Sequence, residues 1–462
     1  MMDSLNFIRK CLFSLIILGL GSRGFGQEKK ETLKLTIEQA KTFALQNNRT
    51  VQAAKIDITI ADKQIWEVIS AGLPQINFAA NYQHQFTVPQ LSFGSYFDVN
   101  SLPPTGYLTK ADIDNAYKPM DPVSLGVANN TTFDATLSQL IFSGEYIVGL
   151  QATKVLREVS ANALVKTEDM TKEAVSTTYY LVLVLQENEK VLNNSLKYTE
   201  QTYSEMQKMN QQGLNEETDV DQMQISRSNI KTLLTSTVSQ KDVAIKLLKY
   251  QLGIAFEQPV ELTDSLPRLI DEGNIQYMAA PQFNVKNNID YKIVSNQENL
   301  SLLSLKREKS RYVPTVTSFY RHQEQTNRPQ FNFAVKDLLG VSLNVPIVTS
   351  GMRSSRVGQA KFALERSRLN KDNTEQGLIL EYETAQSDYR TAFSNYTINN
   401  ESMQLSKKVY DRTLIKYQEG ISSSFELTQN IGLFLTAETK YYYSVMSLLN
   451  AKARLDRILG IN

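Results

Sequence analysis

The second half of the chain repeats landmarks of the first half at a constant spacing. Paired landmarks stand 207 positions apart: Ser143-Gly144 and Ser350-Gly351, Gly213 and Gly420, Leu252-Gly253 and Leu459-Gly460. Upstream, Pro74 recurs as Pro314, 240 positions later, so an insertion of 33 residues lies between Pro74 and Ser143. A repeat usually corresponds to one structural unit that packs against its neighbour. We therefore expect an internal two-fold repeat within the 462 residues.

Composition argues against several classes of function. The net charge is +1, so no basic surface is expected to attract nucleic acid. Cys11 is the only cysteine, which leaves no disulfide or thiolate metal site in a mature chain. The two histidines, His84 and His322, lie far apart in predicted strands or loops. With no glycine-rich phosphate loop or serine nucleophile elbow, we expect no enzyme, no cofactor and no metal site.

The N-terminus has the pattern of a secretory signal peptide over residues 1–26. Arg9 and Lys10 precede an apolar core, and Gly24-Phe25-Gly26 provides a small-residue cleavage site. The core is too short to span a membrane as a helix. Cys11 stands before the core rather than at the cleavage point, so we expect no lipid anchor. No later apolar run reaches the length of a membrane helix, so membrane insertion would require strands.

Two long segments without proline predict long helices. All twelve prolines lie between Pro74 and Pro346, which leaves 123–258 and 347–462 almost free of helix-breaking residues. From Gly144 to about Gln212, apolar residues recur at coiled-coil spacing, and roughly 68 helical residues would extend about 100 Å. Gly213 and Gly420 are suited to the turns that reverse the chain. Each repeat is therefore predicted to end in a helical hairpin, 144–253 and 351–460.

Four short stretches alternate between apolar and polar residues, as strands with one buried face do. They lie at about 75–86, 131–142, 315–325 and 338–348. Tilted membrane strands have this length, but strands of water-soluble sheets also alternate, so a soluble periplasmic coiled-coil scaffold remains an alternative. Four strands cannot close a membrane barrel. Copies must then associate, and the sequence alone does not choose between two copies with eight strands and three with twelve.

Several motifs, taken in order, resemble those of the TolC-like outer-membrane efflux proteins. These are Leu35-Thr36-Ile37-Glu38-Gln39-Ala40, Ala71-Gly72-Leu73-Pro74-Gln75, Gln139-Leu140-Ile141-Phe142-Ser143-Gly144 and Tyr417-Gln418-Glu419-Gly420. The resemblance covers nearly the whole mature chain. It implies a mainly α protein with membrane β: a homotrimer whose twelve-stranded barrel, four strands per chain, continues as a long antiparallel α-helical coiled-coil barrel. The implied domains are an efflux repeat at 27–258, a linker at 259–280 and a second repeat at 281–462.

The resemblance also implies a function and partners. The chain would lie in the outer membrane of a diderm bacterium, contact its lipid and extend into the periplasm. It would be a passive exit duct for small compounds that docks to a periplasmic adaptor protein and to an inner-membrane transporter of RND or ABC type. A duct for type I protein secretion has the same fold and remains an alternative.

The hairpin tips are the candidate sites that the resemblance indicates. The family has a Gly-Leu-x-x-x-Thr motif for adaptor contact, which stands here as Gly213, Leu214 and Thr218. Gly420 begins the equivalent segment of the second tip, where Phe425 replaces the threonine.

Two acidic residues and three bulky residues form the candidate periplasmic aperture and gate. In a trimer, Asp219 and Glu426 would each form a ring of three carboxylates, although acids at helix N-termini are also favoured by the helix dipole alone. Some family members hold the mouth closed with an arginine at the position of Ser422. Without this arginine, we expect the mouth to be closed by hydrogen bonds and by the packing of three bulky residues, Tyr417, Ile421 and Phe425.

The extra residues of the first repeat lie at about 87–130. This proline-containing segment separates two predicted strands, so we expect an outward-facing loop. A tolerated surface insertion is the favoured interpretation, and a partial cap over the exit or a contact with a surface partner is the alternative.

Overall fold

The computed structural model describes residues 32–104, 106–274, 283–328, 332 and 334–461. The predicted signal peptide at 1–26 and the end of the predicted linker at 275–280 lie outside the described residues. The chain is mostly helical, with one four-stranded antiparallel sheet and three small strand pairs. None of the described helices combines the length and the apolar character that a membrane-spanning helix requires.

The first half of the chain contains two short helices, the first two long strands, a structured excursion and a helical hairpin. In order, these elements are β1 (Leu33–Leu35), α1 (Ile37–Asn47), α2 (Arg49–Ser70), β2 (Gln75–His84), β3 (Gln90–Leu91), β4 (Ser95–Phe97), α3 (Lys110–Ala116), β5 (Tyr117–Pro119), β6 (Val123–Ser124), β7 (Asn129–Phe142), α4 (Gly144–Gln211) and α5 (Glu217–Leu252).

The second half contains a comparable series of long elements. In order, these are β8 (Val260–Leu262), α6 (Leu266–Asn274), α7 (Ile289–Ser310), β9 (Thr315–Gln325), β10 (Asp337–Asn344), α8 (Met352–Gln418) and α9 (Ser424–Leu459). Helices at corresponding positions have nearly equal lengths: α2 and α7 have 22 residues each, α4 and α8 have 68 and 67, and α5 and α9 have 36 each. At 1.5 Å per residue, α4 and α8 each extend about 100 Å.

An asparagine connects each short helix to the end of a hairpin. Asn48 accepts a hydrogen bond from the Thr50 amide (2.8 Å), which caps α2, while its own amide group donates to the carbonyl of Gln251 (2.7 Å). Asn288 does the same in the second half: it caps α7 and donates to the carbonyl of Ile458 (3.3 Å). These side chains therefore satisfy backbone groups at two helix ends at once.

The sheet has the order β10-β9-β7-β2, with every neighbouring pair antiparallel. Directly paired residues share a face, and one row of four large side chains, all exposed, crosses all four strands: Ile76, Leu137, Tyr320 and Leu339. The opposite face carries mainly small and polar residues, as in the row Asn77, Thr136, Arg321 and Leu338. Within the described chain, the outer edges of β2 and β10 pair with no other strand.

One predicted strand boundary is wrong. β10 ends at Asn344, whereas the sequence predicted a strand to residue 348. Asn344 pairs with Thr315, and the next residue of the partner strand is Pro314, which has no amide hydrogen. Pro346 also lacks a donor, so the ladder cannot continue. The other three strands lie within two residues of their predicted ends.

The segment 87–130, predicted as a loop, has secondary structure of its own. β3 pairs with β6, β4 pairs with β5, and α3 lies between these strands in the chain. Phe97 contacts Tyr117 edge to face at 5.1 Å between ring centroids, and Asp98 forms a 2.6 Å ion pair with Lys118. The insertion is therefore a small folded excursion between β2 and β7.

A central core holds the hairpins and the small elements together at the middle of α4 and toward the ends of α5 and α9. It contains side chains of α1, α4, α5 and α9, including Ala40, Val175, Tyr179, Leu248, Leu252, Val445 and Leu449. Beside it, β1 and β8 form a short parallel pair. The Asp264 carboxylate accepts from the amide of Ile37 (2.7 Å) and from the Tyr179 hydroxyl (2.9 Å). The start of α1 is thereby fixed to the middle of α4.

Gly253 and Gly460 provide a matched test of this packing. Both cap a helix with positive φ (74° and 67°), so alanine costs roughly 1 kcal/mol of conformational strain at either position. A Cβ on Gly253 would also lie 2.2 Å from the carbonyl oxygen of Asn47, whereas a Cβ on Gly460 meets nothing within 4 Å. We predict that Gly253→Ala lowers the thermal unfolding midpoint much more than Gly460→Ala, measured by circular dichroism. Equal effects would contradict the described contact of α5 with α1.

Glu438 predicts a pH dependence of stability. Its side chain is 5% exposed, and this burial raises its pKa to about 7 despite the nearby charge of Lys407. The pKa of this carboxyl is higher in the folded state than the value of about 4.3 in the unfolded state. Below about pH 4.3 its burial therefore costs no stability, and the free energy cost increases as the pH rises to 7.

At pH values above 7, Glu438→Gln should therefore raise the thermal unfolding midpoint. Near pH 4, the same substitution should leave this midpoint unchanged. The matched control is Glu401→Gln, an exposed position on α8, for which we expect little effect at either pH. A stabilisation by Glu438→Gln that is the same at both pH values would refute the pH-dependent cost.

Candidate functional site at the hairpin tips

The two hairpin turns are built in the same way. In the first, the amide of Gly213 donates to the carbonyl of Asn210 (2.9 Å), and that of Leu214 donates to the carbonyl of Met209 (2.9 Å). In the second, Gly420 donates to Tyr417 (2.9 Å) and Ile421 donates to Lys416 (2.8 Å). This paired pattern is the Schellman motif, which requires a left-handed residue after the helix.

Both tip glycines have that conformation. Gly213 and Gly420 have φ of 71° and 72°, so the sequence prediction that these glycines reverse the chain is confirmed. An L-residue with a side chain is disfavoured there, because its Cβ would approach the neighbouring carbonyl oxygen. The turns fix where α4 and α8 end, and hence which residues stand at the extreme end of the molecule.

The candidate docking residues are exposed. Leu214 is 64% exposed at the outermost turn. Thr218 lies in the first turn of α5 and donates a hydrogen bond to the carboxylate of Glu216 (3.3 Å). An exposed apolar side chain beside polar groups is suited to contact with another protein.

The two candidate acids differ in their contacts. Asp219, half-buried, accepts a short hydrogen bond from the hydroxyl of Ser424, so it connects the first tip to the second. Glu426 is exposed and accepts from Ser422 of its own tip (2.6 Å). Asp219 therefore holds the two hairpins together, whereas Glu426 stabilises only the start of α9.

Ser424 is a tip residue that the sequence analysis missed. It is buried at 7% exposure and occupies the first position of α9, directly after the capping residue Ser423. The Ser422-Ser423-Ser424 run was visible in the sequence, but its three hydroxyls have different roles. Which of them reaches Asp219 depends on how the two hairpins pack, and spacing along the chain does not contain that information.

The gate candidates do not pack together within one chain. Tyr417 is half-buried against the tip core, a cluster of side chains from both hairpins: Met206, Met223, Ile230, Tyr410, Leu427 and Phe434. Burial raises the pKa of the Tyr417 phenol, so the ring is neutral at physiological pH. Ile421 and Phe425 are 75% and 62% exposed. Packing among these three residues, if it closes a mouth, must involve neighbouring copies.

The tips carry a net negative charge. Segments 208–221 and 416–426 contain six carboxylates and two lysines. No group of metal-binding side chains occurs among the residues that the structure describes. Such a surface can attract cations and bind a partner protein.

Comparisons with known proteins agree with this architecture. Residues 307–461 match the family model described as outer membrane efflux protein. None of the curated protein sequences matches the chain. Among solved structures, the CmeC outer membrane channel of Campylobacter jejuni has a TM-score of 0.71 at 15% identity, over 92% of this chain and 85% of that one.

Two further outer membrane protein structures have the same fold. The outer membrane protein VceC of Vibrio cholerae has a TM-score of 0.68 at 12% identity, over 92% of this chain and 96% of that one. The open state of the MtrE outer membrane channel of Neisseria gonorrhoeae has a TM-score of 0.67 at 12% identity, over 92% and 88% of the two chains. The last third of the chain thus matches the outer membrane efflux protein family in sequence, and nearly the whole chain shares the fold of outer membrane proteins such as CmeC, VceC and MtrE.

Proposed function

We propose that this protein is the outer-membrane exit duct of a tripartite efflux system and passively conducts small compounds out of the cell. Three copies surround one pore. Each contributes four strands to a twelve-stranded barrel and two hairpins to an α-helical barrel in the periplasm. The observation that carries the proposal is a four-stranded sheet with two unpaired edges, joined directly to hairpins about 100 Å long.

The two faces of the sheet support a position in the membrane. The row Ile76, Leu137, Tyr320 and Leu339 gives one face an apolar surface for lipid, and the opposite face is mainly polar, as expected for a water-filled lumen. Open edges are not tolerated in lipid, so β2 of one copy must pair with β10 of the next. Closure by three copies, rather than two, follows from the resemblance to the TolC-like family, which the last third of the chain matches.

The tips are the proposed meeting point with a periplasmic adaptor, through which an inner-membrane transporter of RND or ABC type delivers cargo. Leu214 and Thr218 at the first tip, with the turn at Gly420 of the second, present the exposed surface for this contact. The two tips are side by side, because Ser424 reaches Asp219 across them. An adaptor can therefore contact both tips of one copy.

The proposal is tested by fractionation and by pore formation. The protein should be recovered in the outer membrane as a heat-resistant oligomer, and the purified oligomer should form pores in planar lipid bilayers. Recovery in the soluble periplasm without any pore would instead support the coiled-coil scaffold.

The Asp219–Ser424 contact predicts how firmly the mouth is held. Ser424→Ala removes the hydroxyl that donates to Asp219 across the two tips, whereas the matched control Ser422→Ala removes a contact within one tip. Hydrogen bonds to a charged group contribute roughly 1.5 kcal/mol. We predict about tenfold faster amide hydrogen exchange in the first turn of α5 for Ser424→Ala.

Hydrogen exchange followed by mass spectrometry measures this difference. In Ser422→Ala, the first turn of α5 should keep its wild-type exchange rate. If both variants exchange at the same rate in this turn, Asp219 does not hold the tips together.

The acidic ring predicts the ion selectivity of the pore. In a trimer, Asp219 and Glu426 each place three carboxylates around the mouth, which attract cations and bind divalent ions. The double variant Asp219→Ala with Glu426→Ala should weaken block by a divalent cation about tenfold, which corresponds to roughly 1.4 kcal/mol of lost attraction.

The measurement is single-channel conductance in planar bilayers with increasing divalent cation. Glu401→Ala, an exposed glutamate on α8 far along the chain from the tip, serves as the control. Unchanged conductance and unchanged block in the double variant would eliminate the acidic ring.

A further inference from the structure

A recess of about 220 Å³ lies where the sheet joins the helices. Its walls are the end of α7, the starts of β9, α4 and α8, and the end of β10. Four charged residues line it: Glu145, Arg311, Arg353 and Arg356. Three guanidinium groups against one carboxylate give the lining a net charge of +2.

Arg311 is neutralised by its neighbours and forms the fixed part of the recess. It donates to Glu145 (2.8 Å) and to Glu308 (3.0 Å). The hydrogen bond from Arg311 holds the pKa of Glu145 below its usual range, so the pair stays charged. This ion pair ties the start of α4 to the end of α7 and orients the wall of the recess.

Arg353 and Arg356 form no such ion pair within the described residues. Arg353 donates to the carbonyl of Pro346 (3.3 Å) and lies 5.7 Å above the ring of Tyr312, and neither contact neutralises a guanidinium. Among the described residues, neither arginine has a carboxylate within ion-pair distance. Arg356 lies near enough to Glu145 to help lower the pKa of that carboxyl, but Glu145 is already hydrogen-bonded to Arg311. Two positive charges one helical turn apart, at the start of α8, therefore face the recess with no carboxylate of their own.

The start of α8 adds a further preference for negative charge. Its capping residue is Gly351, so no side chain satisfies the first amide groups of the helix. The N-terminal end of a helix carries a partial positive charge. By contrast, α4, whose start also lines the recess, is capped by the hydroxyl of Ser143 (3.3 Å to the amide of Tyr146).

The equivalent junction in the first repeat shows that the fold does not require these charges. By the spacings of 240 and 207, Arg311, Arg353 and Arg356 correspond to Ala71, Tyr146 and Gly149. There, the Tyr146 hydroxyl donates to the carbonyl of Ile69 (3.0 Å) and closes the junction with a neutral contact. The cationic recess thus occurs once per chain, at a junction that an uncharged set of residues also forms.

We propose that this recess binds a phosphate group, held by the guanidinium groups of Arg353 and Arg356 and by the first amides of α8. A guanidinium matches two phosphate oxygens with parallel hydrogen bonds, and two of them balance the charge of a phosphate mono- or diester. The group belongs to a phospholipid headgroup or to free phosphate. The lipid source rests on the proposed function, which places the strand ends at the periplasmic leaflet of the outer membrane.

Detergent-extracted full-length protein tests the proposal by native mass spectrometry. Three probes are added in turn: phosphatidylglycerol, a diacylglycerol with the same acyl chains, and inorganic phosphate. We expect the wild-type protein to retain up to one phosphatidylglycerol per chain and no diacylglycerol. Arg353→Gln with Arg356→Gln should weaken retention at least tenfold. The matched control is Arg366→Gln with Arg390→Gln, two exposed arginines on the same helix, and should bind as the wild type does.

The outcomes distinguish a phospholipid from free phosphate, and they distinguish a failure of this site from a failure of the proposed duct. Arginine-dependent retention of phosphatidylglycerol alone assigns the lipid, and arginine-dependent retention of inorganic phosphate assigns free phosphate. Equal retention by the wild type and the Arg353/Arg356 variant, or no retention because a neighbouring copy fills the recess, overturns the proposal. Pore formation by the same samples is measured in parallel: a conducting protein without phosphate binding refutes this site alone, and phosphate binding without a pore refutes the duct.

Discussion

The unpaired backbone at the two edges of the sheet is the constraint on which the rest of the proposed assembly depends. All ten residues of β2 are exposed, and seven of the eight in β10 are exposed as well. Each edge leaves a row of amide and carbonyl groups without partners in the chain, and in a bilayer each such group would cost several kcal/mol. In the proposed duct, the membrane part is therefore incomplete as one chain, and neighbouring copies would pair with both edges.

Closing the sheet also constrains the helices. The strands lead directly into α4 and α8, and the ends of α2 and α7 lead into β2 and β9. In the proposed duct, copies joined at the sheet would continue as copies joined along the helices, which requires hairpins of equal length. Asn48 and Asn288 serve this need, since each ties a short helix to the end of one hairpin by the same pair of hydrogen bonds. The insertion between β2 and β7 lies at the other end of the strands, where no such equality is required.

Much of the fold could be predicted because it follows from local rules. Gly213 and Gly420 reverse the chain since their positive φ favours glycine, and Asn48 and Asn288 cap the starts of α2 and α7. What the sequence did not reveal depends on contacts between distant segments. The early end of β10 comes from Pro314 on its partner strand, and the burial of Glu438 comes from the packing of neighbouring helices. The Asp219–Ser424 contact and the Arg353–Arg356 recess likewise require the relative placement of two hairpins or of five element ends.

The mass of the membrane-extracted complex tests the central claim most directly. Native mass spectrometry of the protein in mild detergent should give three times the mass of one mature chain, because three copies close the open edges of the sheet into one barrel. A stable monomer would mean that the edges are satisfied in some other way. A dimer would give eight strands, and either result would contradict the proposed trimeric duct.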